Sequence, residues 1–349
     1  MSQSKIVVTG AGGFIGYNLA NHLAQQGHEV VGLDRHFPAN GDAVAPRRFE
    51  AVEGDFRDPG VTRSAMRGAK AVFHLAAAHL QKGTSDAVYW DVNVHKLPLL
   101  LDLAADAGVQ RFVHFSSVGI YGQLERVPAD EHTPARPQSI YGRTKLAGEQ
   151  MLRRHASRIG LPTVVLRPGW VYGPGCPRTL KLSRMLAKRR FVMIGSGRNL
   201  RHPLYIGDML QACELAMTRA EACGETLIIA DDRPVTSLEL IDTLCRQLDL
   251  PGPRVRLPYV AGRAMAVAAE STFAVLRREP PVSRRTLEFF DTDNAFDISR
   301  ARRVLGFAPA WSLAQGLRAT RAWIERVVQR RSRSGVLNTL QAVSQLRID

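Results

Sequence analysis

The segment that most constrains the fold is TGAGGFIG, from Thr9 to Gly16, which joins a short apolar run to an amphipathic stretch. The run before it, KIVVT, is rich in β-branched residues and predicts a buried strand. The stretch after it has the apolar spacing of a helix that ends at Gly27. In such a turn Gly10 allows the tight bend, Gly13 the close approach of a ligand, and Gly16 the packing of helix on strand. The segment therefore predicts a diphosphate site at a helix N-terminus.

Further strands are predicted from apolar runs that alternate with helical stretches. The runs are HEVVGLD, RRFEAVEGD, AKAVFHLA, VQRFVHFSS and LPTVVLRP, and the longest helical stretches cover about 86–107 and 139–159. This alternation predicts an α/β fold, a Rossmann-like doubly wound parallel sheet with ligands beyond the carboxyl ends of its strands. We expect an NAD(P)-binding domain over 1–174, to which later segments return. A smaller, mixed substrate-binding domain over 175–325 and a basic, weakly amphipathic tail over 326–349 would follow.

The charge of the chain limits its partners. The 349 residues carry a formal charge of +15, but their 47 lysines and arginines are scattered and no nucleic-acid recognition module accompanies them. The charge indicates a general attraction for anionic ligands, and we expect no nucleic-acid partner. For the tail we expect a solvated or self-packed helix, with contact to a partner or a membrane surface as the alternative.

Two further absences in the sequence bear on metal binding and location. Cys176, Cys213, Cys223 and Cys245 have no metal-ligand spacing, so we expect no metal site. The N-terminus has no apolar signal region and the chain has no run of 18 apolar residues. These features predict a cytoplasmic protein.

An acidic residue ends the second predicted strand. Asp34 stands 18 residues after Gly16, where its carboxylate can accept hydrogen bonds from both ribose hydroxyls of an adenosine and repel a 2′-phosphate. This favours NAD as the cofactor. NADP is the alternative, because the guanidinium of Arg35 could bind that phosphate.

Three polar side chains predict a site of proton transfer. Tyr141 and Lys145, in SIYGRTK, are four residues apart and so share one face of a helix. An ammonium close to a phenol favours the phenolate, which predicts that Lys145 lowers the pKa of Tyr141. Ser117, at the end of the strand in HFSS, supplies a hydroxyl to hold a substrate oxygen. Together they could take a proton from an alcohol while a nicotinamide takes the hydride.

The order of these segments resembles the extended short-chain dehydrogenase/reductases of the NAD-dependent epimerase/dehydratase type. The resemblance covers residues ~5–325 and rests on TGAGGFIG, Asp34, GDFRD, HLAA, DVNV, FSSVGIYG, YGRTK, LRPGWVYGPG and FDISRARRVLGFAP. It implies an enzyme in which Tyr141 is the acid/base, Lys145 binds the nicotinamide ribose and Ser117 orients the substrate. It also implies a homodimer, formed through the helices at about 86–107 and 139–159.

The same resemblance implies the residues that contact the cofactor. Asp55 would contact the adenine, while HLAA and Pro168 would line the nicotinamide side. The expected cofactor contacts are Gly10, Gly13, Phe14, Ile15, Gly16, Asp34, Arg35, Asp55, Phe56, Leu75, Ala76, Ala77, Asn93, Tyr141, Lys145 and Pro168.

The residues after Ser117 narrow the reaction. Dehydratases and decarboxylases that this chain resembles carry one or two acids there, whereas this chain has Val118 and Gly119, which cannot exchange a proton. Epimerisation through a transient ketone, or simple alcohol/ketone interconversion, remains. The favoured function is that of a 4-epimerase or ketoreductase of a nucleotide-linked sugar.

The expected substrate contacts are His79, Ser117, Trp170 and Arg201. Arg201 stands seven residues before Asp208, where the sugar-nucleotide enzymes place an arginine on the diphosphate. Trp170 replaces the asparagine of their N-x-Y-G-P segment, and its indole offers one donor and a large apolar face. His79 is expected to face the substrate, with a structural histidine as the alternative.

Two other functions stay open. The segment 259–297 is similar to family members that act on sterols and other apolar alcohols. The similarity lies in its REPP motif and in the FD pair near its end. A 3β-hydroxysteroid-dehydrogenase-like oxidoreductase of a lipid or other apolar alcohol is therefore the alternative. Its apolar helix over 260–276 could line a pocket or belong to the core. The remaining alternative is a protein that only senses a dinucleotide, although such proteins have lost the Tyr/Lys pair that this chain keeps.

Overall fold

The computed structural model describes residues 3–38, 44–79, 83–275 and 284–327. Its strands are β1 (Lys5–Thr9), β2 (Glu29–Asp34), β3 (Glu50–Glu53), β4 (Ala71–His74), β5 (Arg111–Phe115), β6 (Thr163–Pro168), β7 (Trp170–Tyr172), β8 (Val192–Ile194), β9 (Leu200–Arg201), β10 (Pro203–Tyr205), β11 (Thr226–Ile229), β12 (Val235–Thr236) and β13 (Val255–Leu257).

The α-helices among the described residues mostly alternate with strands in the first half of the chain, and from residue 259 on they follow one another with no strand between them. They are α1 (Phe14–Gln25), α2 (Pro59–Met66), α3 (Asp86–Trp90), α4 (Leu97–Asp106), α5 (Ile140–Ile159), α6 (Pro177–Ala187), α7 (Ile206–Thr218), α8 (Ser237–Leu248), α9 (Tyr259–Val275), α10 (Arg284–Asp291), α11 (Ser299–Leu305) and α12 (313–327). Within the described ranges, no helix is both long and apolar enough to cross a bilayer.

The central sheet has seven strands in the order β11-β6-β5-β4-β1-β2-β3, and all its neighbouring strands are parallel. The predicted Rossmann-like doubly wound fold is confirmed. Alternate residues point to opposite faces, so Val7 packs with α2, α4 and α5, whereas Ile6 and Val8 pack with α1 and α7. Burial on both faces explains why these strands read as nearly continuous apolar runs.

The stretch predicted as one helix over 86–107 is broken in the structure. Between α3 and α4 the chain forms one π-helical turn, Asp91–His95. Pro98 lies in the first turn of α4, where it has no N–H to continue a helical ladder from α3. The turn carries Asn93, whose side chain is buried.

The region after α6 has small, mixed sheets, as expected. β7 pairs with β10 and β8 with β13 in parallel, and β9 pairs with β12 antiparallel. β11 returns to the central sheet beside β6, so the part of the chain after residue 174 contributes to both regions. The REPP segment, and the tail beyond residue 327, lie outside the described residues.

Candidate active site

The glycine-rich segment forms a cradle between β1 and α1. Gly10 has φ +76°, and Gly13 is the N-cap of α1 with no side-chain cap on the first N–H groups. A Cβ on Gly10 would lie 2.6 Å from the nitrogen of Ala76, and one on Gly16 would lie 2.1 Å from the carbonyl oxygen of Gly10. Side chains at these positions would collide with the backbone that forms the cradle. The N–H groups and dipole of α1 therefore suit a diphosphate, as the sequence predicts.

The cradle opens into a cavity of about 910 Å³ beyond the carboxyl ends of the central strands. Every predicted cofactor residue except Asn93 lines this cavity, and so do Ser117 and His79. A single cavity thus joins the cradle to the predicted proton-transfer group. The residues present fit a dinucleotide that spans from one to the other.

The carboxylate at the end of β2 is held in place by the cradle itself. The Gly12 N–H donates to Oδ2 of Asp34 at 2.9 Å. A Cβ on Gly12 would lie 1.9 Å from the carbonyl oxygen of His36, so this glycine is needed for the contact. Sequence reasoning missed Gly12, although the pair of glycines in GAGG was the available signal. Arg35 is exposed at the same end of the cavity.

A second acidic group, at the same end, is fixed by an arginine that sequence reasoning also missed. Arg57 donates to Oδ2 of Asp55 at 2.6 Å and to Oδ2 of Asp91 at 2.7 Å. The hydrogen bonds from Arg57 lower the pKa of Asp55, which keeps that carboxylate ionised at neutral pH. The sequence signal for Arg57 was its position two residues after Asp55 in GDFRD.

The start of α5 is shaped to approach the turn that carries Ser117. Ser139 caps the helix by accepting a hydrogen bond from the Gly142 N–H at 3.1 Å. A Cβ on Gly142 would lie 2.6 Å from the carbonyl oxygen of Gly119, so only glycine permits this approach. Ser117 accepts a hydrogen bond from the Gly119 N–H at 3.0 Å, which orients its hydroxyl.

The protonation of Tyr141 differs from the prediction. Its removal from water raises the pKa of Tyr141 to about 12, outweighing the lowering by the charge of Arg178 and by a hydrogen bond from Ser117. The sequence argument assigned the lowering to Lys145 and gave the wrong net direction, because it could not weigh burial. Without a bound ligand, Tyr141 therefore keeps its proton at neutral pH and is poised as an acid.

Lys145 is buried in a polar pocket behind Tyr141. Burial lowers the pKa of Lys145 to about 8, and the charge of Glu149 one helical turn further along opposes this shift. His74 and His114 lie in register on β4 and β5, and burial lowers the pKa of both well below neutral, to about 3 for His74. Both histidines therefore stay neutral and add no charge that would repel the ammonium.

A buried ion pair lies further along the same helix face. Glu149 accepts two hydrogen bonds from Arg167 on β6, from Nε at 3.0 Å and from Nη2 at 2.6 Å. Arg167 also donates to the hydroxyl of Tyr121 at 2.7 Å. The pair links α5 to β6 of the central sheet, one helical turn beyond Lys145.

Two basic side chains stand beside the phenol. The rings of His79 and Tyr141 meet edge to face, with 4.7 Å between their centroids. Nη2 of Arg178, in the first turn of α6, lies 3.2 Å from Nε2 of His79. Both side chains line the cavity, and Arg178 is a cavity residue that sequence reasoning missed.

Three predicted site residues lie elsewhere. Asn93 holds both backbone groups of Ala78 and contacts Thr144, so its amide supports the wall of the cavity and does not line it. Trp170 is also absent from the described lining. Arg201 packs on the ring of Phe289 at 4.7 Å and donates to its carbonyl oxygen, outside the cavity lining. The predicted diphosphate contact of Arg201 has no support in this geometry.

A Rossmann sheet with a dinucleotide cradle and a Ser-Tyr-Lys group in one cavity defines a nicotinamide-dependent enzyme of the extended short-chain dehydrogenase/reductase type. The model of the NAD dependent epimerase/dehydratase family matches residues 6–230, and the chain belongs to this family. Its cofactor is NAD, as predicted. The resemblance to this family and the prediction of an enzyme are confirmed.

Relatives in this family act on different substrates. The chain is 33% identical to a dTDP-glucose 4,6-dehydratase of Streptomyces griseus, over 92% of this chain and 94% of that protein. It is 29% identical to a 2-alkyl-3-oxoalkanoate reductase of Stenotrophomonas maltophilia, over 91% and 98%. It is 28% identical to a 3beta-hydroxysteroid-dehydrogenase/decarboxylase of Arabidopsis thaliana, over 90% of this chain and 61% of that protein.

A solved structure extends the comparison. MoeE5 in complex with UDP-glucuronic acid and NAD is similar to this chain with a TM-score of 0.74 and 26% identity, over 93% of this chain and 99% of that one. The match covers nearly the whole of both chains, so it includes the small sheets after the central domain.

Proposed function

We propose that this protein interconverts a secondary alcohol and a ketone by hydride transfer, with a nucleotide-linked sugar as the first substrate class, in a 4-epimerase or ketoreductase reaction. The observation that carries the proposal is the meeting of Ser117, Tyr141 and Lys145 in the cavity that begins at the glycine cradle. A hydroxyl, a phenol and an ammonium in one pocket are the groups that move a proton at a carbinol oxygen.

Each side chain has one task in this proposal. Ser117 holds the substrate oxygen, and Tyr141 donates its proton to that oxygen when a ketone is reduced or accepts the alcohol proton in the reverse direction. NAD, when bound, supplies the hydride acceptor or donor and, in its oxidised form, a positive ring. Such a charge beside Tyr141 favours the phenolate and would offset the rise in pKa that burial causes. Lys145 adds a buried charge behind the phenol.

The comparisons support a nucleotide-linked sugar as the substrate, and the side chains beside Ser117 argue against dehydration. The solved structure of MoeE5 holds UDP-glucuronic acid with NAD. The Streptomyces griseus relative is a dehydratase, but Val118 and Gly119 follow Ser117 in this chain and neither can move a proton at a neighbouring carbon. Hydride transfer alone, without loss of water, is the reaction these residues allow.

An acyl or other apolar alcohol is the second candidate. It is favoured by the position of Arg201, which packs on Phe289 and not in the cavity. Part of the cavity wall is apolar, formed by Val88, Val92 and Val171. The 2-alkyl-3-oxoalkanoate reductase and the 3beta-hydroxysteroid enzyme act on substrates of this kind.

Turnover of a defined panel tests the proposal. Purified protein is incubated with NAD and UDP-glucose, UDP-glucuronic acid or 3-hydroxyoctanoate, and products are identified by mass spectrometry alongside NADH absorbance. We expect Tyr141→Phe to lower turnover about 10²- to 10⁴-fold while NAD binding persists. Tyr259→Phe, which removes the same hydroxyl on α9, away from the cavity lining, is the control. Equal activity in the two variants would refute the assignment of Tyr141.

The location and assembly belong to the same proposal. The homodimer formed through α4 and α5 is what the resemblance implies, and the cytoplasmic location is the prediction made from the sequence. Sedimentation equilibrium of the full chain tests the dimer, and a monomer at micromolar concentration would contradict it.

A further inference from the structure

We propose that the catalytic end of the cavity is a subsite for a carboxylate on the substrate, held by Arg178 with His79, a few bonds from the reacting carbon. This proposal rests on the proposed alcohol/ketone chemistry, because it places the carboxylate relative to Tyr141. The shared chemistry is a carboxylate near a carbinol, and two sources present it: a nucleotide-linked uronic acid and a 3-hydroxy or 3-oxo acid.

The acidic residues that line the cavity lie at one of its ends, together with Arg35 and Arg57. Among the described lining residues, Asp34 and Asp55 are the acidic ones, and both stand at the glycine-cradle end. Lys145 and Arg178 line the end where Tyr141 stands, and none of the acidic residues among the described lining lies there. That end therefore attracts an anion, while the cradle end suits the hydroxyl and amino groups of an adenosine.

The guanidinium of Arg178 is not neutralised by a carboxylate of the described protein. Among the described residues, Nη2 of Arg178 contacts Nε2 of His79 at 3.2 Å. Arginine has donors only, so Nε2 of His79 is the acceptor of this bond. This one acceptor uses one of the five N–H groups and leaves the forked face of the guanidinium for a carboxylate.

The position of this group relative to Tyr141 fixes where a carboxylate would sit. His79 stands edge to face on the Tyr141 ring at 4.7 Å between centroids, and Arg178 lies against His79. The charge of Arg178 is close enough to lower the pKa of Tyr141. A substrate whose carbinol oxygen meets Tyr141 therefore reaches Arg178 with a group only a few bonds away.

Paired ligands isolate the carboxylate in the test. UDP-glucuronic acid is compared with UDP-glucose, which shares its diphosphate, and 3-hydroxyoctanoate with 2-octanol. Calorimetric titration of the NAD-loaded full chain gives the affinity ratio of acid to neutral partner in each pair, without any need for turnover. Arg178→Gln is measured beside Lys181→Gln, an exposed basic residue of the same helix that does not line the cavity.

We expect one acid to bind at least about tenfold more tightly than its neutral partner, and the pair that shows this identifies the source. Arg178→Gln should lower that ratio about 10- to 100-fold, Arg178→Lys should restore part of it, and Lys181→Gln should leave it unchanged. No preference in either pair, or a preference that survives Arg178→Gln, would overturn the proposal. Weaker NAD binding with an unchanged ratio would overturn it too, by placing Arg178 on the cofactor diphosphate. An acid preference without any turnover would refute the proposed reaction and leave the subsite standing.

Discussion

The buried ion pair behind Lys145 gives a prediction whose size follows from the structure. Glu149 and Arg167 have side chains that are 1% and 6% exposed, and they share two charge-assisted hydrogen bonds. In Glu149→Gln the shape and one acceptor oxygen remain, but the guanidinium is left without a counter-charge in the interior. Breaking one side of a buried pair costs about 3–5 kcal/mol of unfolding free energy.

An exposed pair of the same chemistry is the control. Arg321 and Glu325 are 43% and 50% exposed at a distance of 2.7 Å, so water screens the pair and Glu325→Gln should cost far less unfolding free energy than Glu149→Gln. Urea unfolding at pH 7, in the full chain without added NAD, compares the two variants. The double variant Glu149→Leu/Arg167→Met, which removes both charges, should recover most of the loss.

The same substitution should also change the ionisation of Lys145. Glu149 raises the pKa of Lys145 against the effect of burial, so Glu149→Gln should move the ionisation of Lys145 below about 8. An equal, small loss of stability in Glu149→Gln and Glu325→Gln would refute the reasoning, because it would mean that the Arg167 charge is solvated after all.

Three further predictions concern the cradle, the ammonium and the wall of the cavity. Gly16→Ala should abolish NAD binding in a fluorescence titration, because its Cβ would lie 2.1 Å from a carbonyl oxygen, whereas Gly252→Ala, with open space around it, should not. The kcat/KM for ketone reduction should fall about tenfold per pH unit above about pH 8, because Lys145 loses its charge as the pH rises through its pKa. The variant Lys145→Arg, which stays charged, should not show this decline. Asn93→Ala should lower the unfolding free energy by about 1–3 kcal/mol, because it leaves buried backbone groups of Ala78 unpaired, while NAD affinity changes little. A flat pH profile, or loss of NAD affinity without loss of stability in Asn93→Ala, would count against the respective assignments.

The central sheet and the cradle could be predicted because their signals are local. The inner strands of the parallel sheet, such as β1 and β4, are buried on both faces and read as apolar runs. The turn at Gly10 demands a backbone conformation that other residues rarely adopt. The same locality places Tyr141 and Lys145 on one helix face. The strands, the glycine turn and the shared helix face each depend on residues only a few positions apart in the chain, so they can be predicted without knowledge of tertiary contacts.

The features that could not be predicted depend on contacts between distant segments. The raised pKa of Tyr141 comes from burial, and Arg178 reaches His79 across 99 residues of sequence. Arg201 was expected to contact a diphosphate because of its spacing to Asp208, but its guanidinium packs on the ring of Phe289. In a chain with this many arginines, spacing alone does not tell a ligand-binding guanidinium from one that packs on an aromatic ring.

Identification of the nucleotide that this protein holds tests the central claim most directly. The purified full chain is denatured and any released nucleotide is identified by mass spectrometry, with titrations of added NAD and NADP alongside. The structure predicts NAD, because Asp34 is fixed by the Gly12 N–H at the ribose end of the cradle. NAD that is retained through purification favours an epimerase, and NAD that binds and leaves freely favours a dehydrogenase or reductase. A protein that binds neither dinucleotide would contradict the assignment of the cradle and of the active site built on it.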